Sequence, residues 1–165
     1  GLHADEIAAM VGVTKYKIYP CRGDYFRLIR PPQFNELIYP VRRKNAAGLG
    51  VHVTLGLDGT VRLGPDVEYV ESKEDYSHLS RERFHEKRKA FFDAASKYLS
   101  GIQRAQLEYD TCGLRPKLRS PDEKVEKDFV MSEDLPGFVN LVGIESPGLT
   151  AAIDLAERIA KIICF

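Results

Sequence analysis

The chain is predicted to be an α+β protein, a mixed, largely antiparallel sheet with one long helix, and three observations predict this. Apolar and polar residues alternate on both sides of Asp58-Gly59. After Ser80, the residues Phe84, Phe91, Ala95 and Tyr98 recur at helical spacing. The apolar run Phe138 to Ile144 leads into a second, Ala-rich helical segment. Alternation by two marks a strand with one buried face, and recurrence near 3.6 marks a helix.

Taken in order, Ala4 to Val11 has helical periodicity, with Ile7, Met10 and Val11 on one face, and Gly12 ends it. Lys17 to Cys21 and Asp24 to Ile29 read as two short strands on either side of Arg22-Gly23. Pro31-Pro32 interrupt the chain. Leu37 to Val41 reads as an edge strand, because Pro40 lacks the N–H that an interior strand needs.

The register of the next hairpin can be derived. A two-residue Asp-Gly turn would pair Leu55 with Arg62 and mix apolar and polar groups on one face. A three-residue loop, Leu57-Asp58-Gly59 with Gly59 left-handed, pairs Leu55 with Val61 and Val53 with Leu63. That register keeps the apolar face whole. It places His52, Thr54, Arg62 and Gly64 on the other face, with bare space expected in front of His52 where Gly64 stands opposite.

Residues 66 to 75 are acidic, and Ser80 is a fitting N-cap for a helix running to about Leu99, closed by Gly101. Its basic residues read as a solvated face. Ala105 to Asp110 reads as a strand, followed by a Gly113-Leu114-Arg115-Pro116 loop and a polar, mobile-looking stretch from Lys117 to Lys127. Phe129 to Met131 is a short strand, and Leu135-Pro136-Gly137 is a turn. Ser146-Pro147-Gly148-Leu149-Thr150 opens the last helix, to about Ile163.

Composition narrows the function classes. Lys plus Arg and Asp plus Glu balance at 24 each, so no charge bias points to nucleic acid, and apolar runs are far too short for a membrane span. Cys21, Cys112 and Cys164 lie far apart with no CxxC pair, and the four histidines show no ligand spacing, so no metal site is expected. Ordinary thiols fit a reducing, cytoplasmic setting. The N-terminus resembles no signal peptide, and the lack of an initiator Met fits a start within a longer protein.

Three features carry chemistry. The turn from Gly143 to Thr150 before a helix leaves N–H groups that suit a phosphate or an electron-rich ring edge, although a helix that binds nothing is capped the same way. Arg115 is a fork suited to a carboxylate, although its spacing alone favours an ion pair with one of the many acidic residues. His52 is a candidate general base, or a half-buried strand histidine with one satisfied hydrogen bond.

Read together, GLHADEIA, PCRGDYFRL, LIYPV, GLGVHVTLGLDGTVRLGPDVE, GLRPKL and GIESPGLTAAIDLAERIA resemble, in order, FAD-dependent oxidoreductases of the D-amino-acid oxidase superfamily. The resemblance is strongest to the L-2-hydroxyglutarate dehydrogenase branch and covers nearly the whole chain. It implies a substrate domain over residues 17–112, flanked by FAD-domain elements at 1–16 and 113–165. It implies that Gly143, Ser146, Pro147, Gly148, Leu149 and Thr150 close over the flavin, that Arg115 holds a substrate carboxylate, and that His52 lies beside substrate and flavin. The family's GxGxxG strand–turn–helix is absent, and Gly48-Leu49-Gly50 is no substitute, because a strand follows it. The expected activity is therefore that of a larger protein: oxidation of a small 2-hydroxy acid by hydride transfer to FAD, with a missing N-terminal FAD-binding segment as partner. The isolated chain is expected to lack stable FAD and activity. An amino-acid oxidase or dehydrogenase and a non-catalytic interaction domain are the alternatives.

Overall fold

A computed structural model describes residues 1–41 and 48–163. The elements run α1 (Ala4–Met10), β1 (Tyr19–Leu28), β2 (His52–Leu55), β3 (Val61–Gly64), β4 (Glu68–Tyr69), α2 (Arg81–Ala95), a short 3-10 turn (Arg104–Gln106), β5 (Leu107–Lys117), β6 (Val130–Leu135), β7 (Phe138–Val142) and α3 (Ala152–Ile163). A five-stranded sheet has the order β2-β3-β1-β4, with β5 also pairing β1, and β6-β7 form a separate hairpin. The α+β class expected from the sequence is the one observed. Among the described residues no helix is long and apolar enough to cross a membrane.

The chain divides into two units. One comprises Gly1–Cys21, Tyr69–Lys73 and Leu114–Phe165; the other comprises Arg22–Glu68 and Glu74–Gly113. The return of Tyr69–Lys73 to the first unit has no signal in the sequence.

In the second unit the hairpin register is the derived one: His52 faces Gly64, Val53 faces Leu63, Thr54 faces Arg62 and Leu55 faces Val61. Gly56 N donates to Thr60 O and Gly59 has φ +80°, which closes the three-residue loop. Val53, Val61 and Leu63 join Phe26, Leu28, Phe91, Ala95, Leu99, Ile102 and Leu107 in the core. Phe26 lies at its centre, 4.7 Å from the Phe91 ring and 5.8 Å from Tyr109. Helix α2 starts where Ser80 Oγ accepts from Arg83 N, and it ends at Ala95, earlier than the periodicity to Leu99 suggests. Among the described residues, Leu37 to Val41 forms a single bridge, Ile38 to Val53.

The expected break at Arg22-Gly23 is not there. β1 runs unbroken from Tyr19 to Leu28 because the Arg22 side chain is fully buried and fully engaged. Its guanidinium donates to Asp24 Oδ1 at 3.0 Å, to the Asp75 carbonyl at 2.9 Å and to the Ser77 carbonyl at 2.7 Å. A buried charge is tolerated only when it is satisfied in this way.

In the first unit, β6 and β7 pair Val130 with Val142 and Ser132 with Asn140 around Pro136-Gly137. The Asp134 carboxylate accepts from Tyr16 Oη at 2.7 Å, pairs with Lys15 Nζ at 2.6 Å and accepts from Asn140 Nδ2 at 2.6 Å. The Lys15 ammonium, with help from Tyr16 and Asn140, holds it well below the usual carboxylate range. Helix α1 buries Ala8, not the face of Ile7, Met10 and Val11, which is exposed. What fastens it is Asp5, which accepts from Ile18 N at 2.8 Å and from Lys73 Nζ at 2.6 Å.

Candidate functional site

His52 opens β2 in the second unit and is half-buried. Its Nδ1 lies 2.9 Å from the Gly50 carbonyl oxygen. A carbonyl only accepts, so Nδ1 carries the hydrogen and Nε2 keeps its lone pair in the neutral ring. The open space expected in front of it is filled. Tyr39 stacks on the imidazole at 4.3 Å between centroids. A Cβ at Gly64 would fall 2.7 Å from the Asp24 carbonyl oxygen and 2.9 Å from Tyr25 Cδ1, so that glycine is demanded by the neighbouring strand. Tyr39 escaped the sequence reading because its segment carries no alternation.

The same unit holds a cluster of Asp24, Asp66 and Glu68, whose carboxylate oxygens lie within 4.8 Å of one another. Its cation is Lys87: Nζ is 2.8 Å from Asp66 Oδ2 and 2.7 Å from Glu68 Oε2, and also contacts Asp24 Oδ2. Burial works against the ammonium, but the hydrogen bonds it donates to Asp24, Asp66 and Glu68 outweigh it and raise its pKa.

Arg115 belongs to the first unit. It stands on strand β5, not on the loop expected from Gly113 and Pro116, and its Nη1 approaches Cys21 Sγ at 3.6 Å. The polar stretch beyond it is mostly exposed from Pro121 to Lys127, but its first residues turn inward. Lys117 and Arg119 are buried, Lys117 Nζ is 2.7 Å from Glu145 Oε1, and Arg119 Nη1 is 2.9 Å from Glu126 Oε1. Arg115, Lys117 and Arg119 alternate in the sequence, and that alternation was the available signal that the strand goes on.

The segment from Gly143 to Thr150 lies in the same unit. Gly143 has φ +71°, and a Cβ there would fall 2.5 Å from Leu118 Cδ1. α3 begins only at Ala152, so Ser146 does not cap it. Gly148 N donates to Glu145 O at 2.5 Å, Ala151 N to Pro147 O and Ala152 N to Leu149 O, which uses N–H groups expected to be free. Gly148 is also demanded by its own turn, since a Cβ there would meet Ile144 Cγ2 at 2.5 Å. Ser146, Pro147, Leu149 and Thr150 are exposed, Leu149 by 92%. The structure thus brings the Arg115 strand beside this loop within one unit.

The family described as FAD dependent oxidoreductase matches residues 1–162. The chain belongs to that family. A mitochondrial L-2-hydroxyglutarate dehydrogenase of Arabidopsis thaliana is 38% identical to this oxidoreductase chain over 98% of it, but over only 36% of its own length. A glycerol 3-phosphate dehydrogenase of Caloramator mitchellensis is 31% identical over the same share and 33% of its own length. The L-2-hydroxyglutarate dehydrogenase of Escherichia coli K12 is 28% identical, with 45% of its length covered. The L-alpha-glycerophosphate oxidase of Mycoplasma pneumoniae, solved with FAD bound, superposes with a TM-score of 0.78 over the whole chain and 41% of its own, at 22% identity, which is a likeness of fold. The chain therefore spans between a third and a half of the length of these relatives.

Proposed function

We propose that this chain is the substrate-handling part of an FAD-dependent dehydrogenase of small 2-hydroxy acids, 2-hydroxyglutarate among them. It would work with a complementary segment that carries the dinucleotide-binding glycines. The observation that carries this reading is the 38% identity to a hydroxyglutarate dehydrogenase across 98% of the chain. The 143–150 loop would meet the flavin with an exposed apolar edge at Pro147 and Leu149, flanked by the exposed side chains of Ser146 and Thr150. FAD, when bound, supplies the two-electron acceptor.

The chain's own residues divide the remaining work. Arg115 presents a planar fork that would hold the substrate carboxylate, with its approach set by β5. His52 would take the proton of the hydroxyl group at Nε2, because the Gly50 carbonyl fixes the hydrogen on Nδ1. Tyr39, stacked on the ring, would hold its plane.

The test is an enzyme assembled from this chain and the flavin-binding segment. Replacing His52 with Ala should lower kcat on a 2-hydroxy acid by roughly a hundredfold or more. Arg115→Lys should mainly raise KM, by about 1–3 kcal/mol. A His52→Ala enzyme with normal kcat would remove the general base and favour amine oxidation. Turnover of glycerol phosphate in preference to hydroxy acids would move the substrate to the phosphate-bearing relatives.

A further inference from the structure

Strand β5 ends in Arg115, Pro116 and Lys117. Alternate residues of a strand share a face, so Lys117 projects from the same side as Arg115. Lys117 is only 5% exposed, and its ammonium sits 2.7 Å from Glu145 Oε1 and 3.8 Å from Glu126 Oε2. Glu145 makes a second connection, since its carbonyl accepts from Gly148 N and closes the turn of the 143–150 loop. One residue further along, Leu118 packs so tightly on Gly143 that no Cβ fits between them. The Tyr69 hydroxyl, donating to Arg119 O at 3.1 Å, and the Arg119–Glu126 pair hold the segment beyond.

We infer that Lys117 and Glu145 are positioning residues, whose ion pair, with its ammonium buried, ties the strand carrying Arg115 to the 143–150 loop so that the two move as one frame. The inference rests on the proposed function for the roles of Arg115 and the loop; the tie itself is read from the chain alone. The physical reason is the cost of an enclosed ammonium, which is tolerated only while its partner stays within hydrogen-bond distance. The pair therefore acts as a distance constraint between two segments about 28 residues apart in sequence. Substrate held by Arg115 would then be registered against whatever the loop touches, and a shift of about an ångström in such registration is costly.

The experiment has two arms. In the first, amide hydrogen exchange is measured on the 165-residue chain and on Lys117→Met and Glu145→Gln. Exchange should quicken by roughly tenfold or more in residues 114–119 and 143–151, with α2 unchanged. Lys117→Arg, which keeps the charge, should restore most of the protection. Unchanged exchange in both segments overturns the inference, and so does an equal rise in α2, which would make the pair a general stabiliser. In the second arm, the flavin-loaded enzyme carrying Lys117→Met should show KM for a 2-hydroxy acid raised by more than kcat is lowered. It should also bind a non-reacting dicarboxylate more weakly, read from the perturbed flavin spectrum. Unchanged KM and unchanged dicarboxylate affinity overturn the positioning role. A wild-type enzyme that oxidises no 2-hydroxy acid overturns the proposed function instead, while the exchange arm still decides whether the tie exists.

Discussion

Helix α2 buries Phe91 and Ala95 in the core and sends Lys87 into a ring of three carboxylates, whereas α3 buries none of its residues. On α3, Leu155, Ile159 and Ile162 are half-buried. A second stripe, Leu149, Ile153, Ala156, Ala160 and Ile163, recurs at spacings of four and three, and Ile153 is 79% exposed. Helical recurrence of this kind marks a face that packs against something. In α2 the neighbours that the pattern asks for are in its own unit. In α3 half the pattern is uncovered, and under the proposed function the complementary flavin-binding segment covers it. The same periodicity thus reports a completed interior in one helix and a half-uncovered face in the other.

The contrast can be broken by substitution. Phe91→Ala should destabilise the chain by about 3–5 kcal/mol in urea denaturation, the cost of an aromatic-sized cavity. Ile153→Ala should stay within about 0.5 kcal/mol, as for a surface position. A large loss at Ile153 would mean that α3 is already covered. Lys87→Met comes next, at about 2–4 kcal/mol. Removing it leaves the buried Asp24 with its charge half-compensated, and the partial solvent access of the lysine keeps the effect below that of a sealed pair.

A smaller effect is expected from alkali. Burial pushes Tyr98 up to about 12, its hydroxyl donating to the Val51 carbonyl at 2.6 Å, and Lys87 is also raised. Between the ordinary values of these groups and their folded ones, the native state binds more protons than the unfolded chain, so stability falls as pH rises. Their contribution is complete below about pH 10 and is lost progressively up to about pH 12 and beyond. Circular dichroism across that range should show the folded signal lost more easily as pH rises, and a chain equally stable at pH 9 and pH 12 would contradict it.

The hairpin was fully legible because its information is local: Val53, Leu55, Val61 and Leu63 can share a face in only one register. Arg22 was misread for the opposite reason. Its carbonyl partners at Asp75 and Ser77 lie more than 50 positions away, so the strand looked broken where its largest polar side chain enters the interior. Lys117 and Arg119 fall in a stretch that reads as polar and mobile-looking, because a charge in such a stretch is usually exposed and their partners Glu145 and Glu126 have no marked spacing to them. Within the candidate site, Arg115, His52 and the loop could be named from residue type and neighbours. The stacking of Tyr39 and the internal demands on Gly64 and Gly148 could not, since they depend on which backbone passes close by.

The enclosed lysines also divide the chain's amines by reactivity. Acylation needs a free base that a reagent can reach, and Lys87, held among three carboxylates with its pKa raised, offers little of either. Lys117 is closed off by burial and by its ion pair with Glu145. Lys89 keeps a side chain that is 63% exposed. An amine-reactive ester at mild pH will therefore mark Lys89 early and spare Lys87 and Lys117 until the chain opens, so the order in which lysines are labelled becomes a clock for unfolding in each unit.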